Sequence, residues 1–222
     1  MYSEYLRIEK LENYHFWYRA MEELAIDLIK KYCPKRKLKI LDAGCGSGGM
    51  TQKLTKFGHV TGIDINEKAL KLAKQKKIDK VMKTDVCNLP FHDSSFDLVT
   101  SFDVIYHQGV IDDLKALKEM YRVLKPNGIL LLRVPALESL RGSHDIAVKT
   151  RYRYTAYELK HKMLLAGFNT RKISYLNMVL STILLIKRST ERLTTNVGKS
   201  EVKKLPIFVN NLFYIILSTY AP

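Results

Sequence analysis

Residues 40–49 read ILDAGCGSGG, an apolar run that passes directly into a cluster of glycines. The stretch from Lys37 to Gly44 (KLKILDAG) is nearly continuously apolar, as expected of a short strand buried on both faces of a parallel sheet. Glycines after such a strand let the backbone adopt turns and approach a ligand in ways a side chain would forbid. Gly44, Gly46 and Gly49 satisfy the G-x-G-x-x-G spacing, and Asp64 follows Gly44 by 20 positions. That is where a dinucleotide site places its ribose-binding acid. Taken alone, the turn is a nucleotide cradle.

Outward from the turn, strand and helix signals alternate. GGMTQKLTKFG predicts a helix closed by Gly58, and HVTGIDI (59–65) a second strand. Asn66 is placed to cap a helix bearing Ala69, Leu70 and Ala73 on one face. KVMKTDV (80–86) and SFDLVTSFDVI (95–105) carry a third and a fourth strand. Asp112 and Asp113 suit the positive end of the next helix, whose stripe is Leu114, Leu117, Tyr121 and Leu124. KPNG (125–128) reads as a turn before a fifth strand, ILLLRVP (129–135). Thr155 and Glu158 form a capping box for a helix stopped at Gly167, and FNTRKISYL (168–176) is available as a sixth strand. This order predicts an α/β fold, a doubly wound, mostly parallel sheet of six or seven strands with helical additions at both ends. The expected divisions are a helical lid over 1–36 containing HFWY (15–18), a ligand-binding core over 37–176, and an apolar helical extension over 177–222.

Composition narrows the function classes. The chain has 222 residues, 46% of them hydrophobic, enough for one sizeable core. Its first residues are charged and lack the apolar stretch of a secretory signal, so a cytoplasmic setting is expected. Cys33, Cys45 and Cys87 are far apart, which argues against a zinc site and a disulfide framework. The net charge of +15 would attract nucleic acid, anionic lipid or acidic substrates. The lysines are spread over many helices and turns, and no aromatic-interleaved basic reader stands out, so nucleic acid is not the expected partner. Two apolar stretches, 175–186 and 205–220, fall short of the roughly 20 residues of a spanning helix. They suit packing within the protein, a homodimer surface, or peripheral contact with a bilayer.

Two carboxylates distinguish between ligands at the turn. Asp42 lies inside the strand end, two residues before Gly44. A carboxylate there would repel a pyrophosphate, whereas S-adenosylmethionine brings an ammonium and a sulfonium. Asp85, at the end of the third strand, can accept from an adenine amino group while the Val86 amide donates to a ring nitrogen. The chain also leaves little room for the substrate domain a dehydrogenase would need. These features favour S-adenosylmethionine over NAD.

ILDAGCGSGG, GIDIN (62–66), the D…LPF…SFDLV run from Asp85 to Val99, and RVLKPNGILLLRVP (122–135) together resemble the class I S-adenosylmethionine-dependent methyltransferases. The resemblance covers residues 37 to about 175. HFWYRA and SHD…RYRYT…AGF (143–168) are similar to a subgroup modifying small molecules, lipids or polysaccharides. The resemblance implies that the Gly44–Gly48 backbone, Cys45 and Gly46 included, cradles the methionine part. It implies that Asp64, with Ile65 beside it, holds the ribose, that Asp85 and Val86 read the adenine, and that Ser101 and Phe102 border the methyl. Trp17 or Tyr18 would close over the cofactor, and Arg19 would pair with its carboxylate. The product would be S-adenosylhomocysteine.

A base is needed only where the acceptor must lose a proton. His107, after the fourth strand, and His144, with Asp145 beside it, are the candidates. Tyr152 and Tyr154 are candidate lining residues for the acceptor. The family's sheet usually ends in an antiparallel seventh strand, and no clear alternating run remains to supply it; IFVNNLFYIIL looks more helical. The expected activity is methyl transfer to an oxygen or nitrogen of a small-molecule, glycan or lipid acceptor. The rivals are a nucleic-acid binder or methylase, a non-catalytic scaffold with the same fold, and an NAD oxidoreductase.

Overall fold

The computed structural model describes residues 9–34, 37–177, 181 and 205–218. One sheet contains β1 Leu38–Ala43, β2 Gly58–Asp64, β3 Lys80–Lys83, β4 Phe96–Phe102 and β5 Leu124–Arg133. The strands lie in the order β3-β2-β1-β4-β5, and every pairing is parallel. The strand order reverses at β1, so the crevice beyond the carboxyl ends of β1 and β4 is the switch point where such sheets take ligands.

The helices are α1 Phe16–Tyr32, α2 Gly49–Leu54, α3 Glu67–Ala73, α4 Asp113–Val123, α5 Ser143–Ala147, α6 Ala156–Leu165 and α7 Ile207–Ser218. Strand side chains alternate between two separate cores, which places helices on both faces. Leu38 and Ile40 of β1 and Leu98 of β4 pack with Ile29 of α1 and Leu54 of α2. Leu41, Ala43 and Val99 point the other way, onto Ala116, Leu117 and Met120 of α4, with Leu159 and Met163 of α6 against them. Ile40, Leu41, Leu98 and Val99 are fully buried. Each such side chain stabilises the fold by about 1.5–3 kcal/mol relative to exposure. A third cluster joins α1 to α7 through Ala20, Met21, Leu24 and Leu217.

Several expectations change in detail. The described residues form five strands, not six or seven. Residues 168–177 run without strand structure. The predicted apolar helix over 205–220 forms as α7, whereas most of 175–186 lies outside the described residues. KPNG does turn, but within β5: Phe96 pairs with Leu124 and Leu98 with Ile129, so the turn bulges out, with Asn127 at φ 63°. The helix after the glycine turn stops at Leu54, and Gly58 opens β2 instead of closing that helix. The caps at Asn66 and Thr155 form as expected, the latter with Glu158 completing its box.

Candidate functional site

The glycine turn leaves β1 at the switch point. Gly44, Gly46 and Gly48 all take positive φ, with Gly48 at 82° as the residue before α2. Gly49, the last glycine of the dinucleotide spacing, does not. A side chain on Gly44 would run into Val104 of the loop after β4. Gly49 instead abuts the Glu12 carboxylate, which also accepts from Lys76 Nζ at 2.9 Å. The segment before α1 is thus pinned across α2 and α3, and Lys53 pairs with Glu22 of α1. Glu12 escaped the sequence reading because nothing in its neighbourhood marks it.

Asp42 is buried beneath the turn. Its carboxylate accepts from Thr51 Oγ1 at 2.6 Å and Thr100 Oγ1 at 2.8 Å, tying α2 and β4 to β1. Burial raises its pKa above the ordinary carboxylate range, against the pull of those two hydroxyls. The structure therefore gives Asp42 two neutral partners inside the protein. Cys45, between Asp42 and Asp64 in the turn, is buried, and its thiol pKa is pushed up by that burial and by both carboxylates.

Asp64 ends β2 and faces the turn. Its Oδ2 accepts from the Gly46 amide at 2.9 Å and its Oδ1 from the Asn66 amide at 2.8 Å. The side chain is buried, and that burial raises its pKa despite the amide bonds. Ile65, beside it, is exposed. Asp85 lies just past β3, where its Oδ1 accepts from the Cys87 amide at 2.9 Å, while the Val86 side chain enters the core. Ser101 near the end of β4 is fully buried, and its hydroxyl has no hydrogen-bond partner. Phe102 carries the Arg133 guanidinium over its ring, and Arg133 pairs with Asp103. The turn, Asp64, Asp85 and Ser101 all sit at the carboxyl edge of the sheet. The orphaned buried Ser101 hydroxyl and a turn in which three of five residues are glycine fit an S-adenosyl ligand.

His107 follows β4. Its Nδ1 accepts from the Gly109 amide at 2.9 Å, so in the neutral ring Nε2 carries the proton. Burial and Lys149 lower its pKa, with the Asp64 charge opposing them. His107 is thereby a neutral donor at Nε2. His144 opens α5 with its Nδ1 buried and unpartnered. Asp145 does not orient it: its carboxylate receives Arg153 at 2.9 and 3.2 Å and the Gly142 amide at 2.8 Å. Burial opposes ionisation of Asp145, but these bonds bring its pKa below the usual value. Tyr154 is buried and donates to Asp113 Oδ2 at 2.6 Å, while the Tyr152 hydroxyl donates to Glu158. The two rings meet edge to face with centroids 5.0 Å apart.

The aromatics before and within α1 turn mostly elsewhere. Trp17 packs in the α1–α7 cluster, and the Arg19 guanidinium lies over the Tyr214 ring at 4.2 Å. Tyr18 meets the ring of His15, whose Nδ1 caps α1 by accepting from the Trp17 amide.

This fold, with its glycine turn at the switch point, resembles that of the class I S-adenosylmethionine-dependent methyltransferases. Residues 41–132 match the family model described as a methyltransferase domain. Among curated proteins, the demethylmenaquinone methyltransferase of Staphylococcus aureus is 36% identical over 140 residues, covering 59% of this chain and 54% of that protein. The chain thus spans about half the length of the curated relatives it matches. A Thermotoga maritima S-adenosylmethionine-dependent methyltransferase, described as a possible histamine N-methyltransferase, aligns with TM-score 0.60 and 26% identity over 76% of this chain and 78% of its own. A Haloferax volcanii methyltransferase solved with its Trm112 activator aligns with TM-score 0.64 and 22% identity over 79% and 78%, which shows the shared fold.

Proposed function

We propose that this chain transfers a methyl group from S-adenosylmethionine to an oxygen or nitrogen of a small-molecule, glycan or lipid acceptor. The observation that carries the reading is the buried Asp64 carboxylate, bonded to the Gly46 amide across the carboxyl edge of the sheet. A lipid-like acceptor is favoured within that class by the curated relatives, named for a quinone.

S-adenosylmethionine, when bound, would supply an activated methyl carbon open to in-line attack by the acceptor, with the neutral sulfide leaving on the electron pair of the broken sulfur–carbon bond. The protein's task is to hold and align. The Gly44–Gly48 backbone takes the methionine part, Asp64 the ribose hydroxyls, and Asp85 with Val86 the adenine. Ser101 offers its unsatisfied hydroxyl beside the methionine. His107 donates from Nε2 and orients an acceptor oxygen, while His144, whose Nδ1 is buried and unpartnered, is the remaining candidate to take the acceptor's proton. Asp145, Tyr152 and Tyr154 set the shape of the loop that carries His144. The segment over residues 9–15, held by Glu12 and Lys76, excludes water from the turn. Trp17 and Arg19, directed toward α7, reach the cofactor only if α1 shifts; we assign closure to Tyr18 and the preceding segment.

Calorimetry with S-adenosylhomocysteine, S-adenosylmethionine and NAD tests the reading. Wild type should bind both sulfur ligands, and Asp64→Ala should weaken binding about a hundredfold, as for two charge-assisted hydrogen bonds of ~1.5 kcal/mol each. Tight NAD binding without a response to S-adenosylhomocysteine would overturn it.

A further inference from the structure

Helix α7 is built inside out for a helix in water. Its inward face carries a polar residue, Asn210, which is buried. The Asn210 side chain accepts from the Phe16 amide at 2.9 Å and donates to the Tyr14 carbonyl at 2.9 Å. Tyr14 Oη in turn donates to the Leu205 carbonyl at 2.7 Å. Two separated contacts therefore fix both the position and the rotation of α7 against the start of α1. Phe213 and Leu217 complete the inward face.

The outward face is mostly apolar, with Asn211 the exposed polar residue among its apolar ones. Ile207, Phe208, Leu212 and Ile215 are 67, 72, 52 and 57% exposed. At 100° per residue they fall within about 140° of arc. Residues 205–222 contain no Asp, Glu, Lys or Arg. A surface helix of a water-soluble protein carries charged and polar residues on its outward side. Among the described residues no helix is long and apolar enough to cross a membrane.

We infer that the outward face of α7 docks on an anionic lipid surface, with the helix lying in the interface plane. Charge decides between lipid and a second copy. Residues 187–204, immediately before α7, contain Lys187, Arg188, Arg192, Lys199, Lys203 and Lys204 against Glu191 and Glu201, and the whole chain carries +15. Two copies of such a chain repel, whereas an anionic headgroup layer attracts the basic stretch as the apolar face enters the acyl boundary. The face is also small: a 12-residue helix is about 18 Å long. One side of it offers well under the ~800 Å² per partner of a standard protein interface. The docked helix would sit directly behind the segment that carries Glu12 to the glycine turn.

The test is flotation of the full chain with phosphatidylcholine vesicles containing about one-third phosphatidylglycerol, at low and high salt. No methyl donor or acceptor is present, so the outcome is separate from the fate of the methyl-transfer reading. Wild type should float with the anionic vesicles, less so in high salt, and weakly with pure phosphatidylcholine. The double substitution Phe208→Ser and Ile215→Ser removes only exposed side chains and should cut vesicle binding at least about tenfold. Unchanged emission from Trp17, the single tryptophan, which packs in the α1–α7 cluster, would show that the variant keeps its fold. Lys203→Gln with Lys204→Gln should reduce the preference for phosphatidylglycerol. Absence of wild-type flotation at low salt, equal flotation of the double variant, or a wild-type dimer in light scattering that the double variant dissociates would each overturn the proposal.

Discussion

Asp64 and Asp42 show what spacing places in a sequence and what only strand pairing places. The distance of Asp64 from Gly44 and its place after an apolar strand marked it as a ligand acid, and the Gly46 amide bond puts it against the turn. Asp42 invited a similar reading, and its oxygens accept from Thr51 and Thr100, as those of Asp64 accept from two backbone amides. Thr100 lies directly across the β1–β4 register from Asp42. That relation does not exist in the linear chain until the pairing is known. The same holds for Gly48, which rather than Gly49 bears the left-handed turn. Two predictions belong at this scale. Burial raises the Asp64 pKa, so as pH falls the carboxylate protonates earlier than an ordinary aspartate and loses an acceptor for ribose. Affinity for S-adenosylhomocysteine, followed by calorimetry from pH 8 downward, should therefore begin to fall above the usual carboxylate range, about 4. Full affinity persisting through that range would show that Asp64 does not hold the ligand as a carboxylate. His107, whose Nδ1 is occupied by the Gly109 amide, should appear in imidazole ¹⁵N spectra as the neutral Nε2–H tautomer at neutral pH. A protonated Nδ1 would restore it as a candidate base.

Among the elements, those with a local signature were the most legible. The cap at Asn66 and the capping box at Thr155 depend on residues three positions apart or closer, and both form. The KPNG turn was visible, but its placement as a bulge inside β5 depends on where β4 pairs. The expected sixth strand is absent over 168–177, where Tyr175 Oη instead receives the Ala156 amide at 2.9 Å and Leu176 packs toward α1. Alternation alone cannot supply a strand with an edge to join. Asp113, read as a helix-dipole acid, is also the hub that fastens α6 to α4. It accepts from Tyr154 and from Lys162 Nζ at 2.8 Å, with Arg151 3.6 Å away. Burial works against its ionisation, but those partners bring its pKa below the usual value. Asp113 thus contributes stability above the unfolded carboxylate pKa, and that contribution is lost as pH falls through the folded one. Tyr154→Phe removes one donor to this buried acid and should lower stability in urea melts by about 1–2 kcal/mol. A midpoint unchanged from wild type would show that the hydroxyl contributes nothing to the α4–α6 junction.

For the whole molecule, the doubly wound plan was legible because alternating apolar runs and caps imply parallel strands with helices on both faces. What the sequence left open was the use of its apolar end, since hydropathy does not say which side of a helix faces in. Asn210 settles that for α7, through bonds reaching back to residues 14 and 16. The Phe16–Asn210 bond spans 194 positions, close to the greatest separation the described residues permit. This has a consequence in time. A ribosome adding roughly 5–20 residues per second needs about 10–40 s to travel from the first partner to the second. Throughout that interval Ala20, Met21 and Leu24 have emerged without the helix that covers them. The sheet can assemble in the meantime, since all its strands lie between the two partners. Helix α1, made early, is therefore among the last to be closed, and its apolar stripe is a natural handle for a chaperone during synthesis.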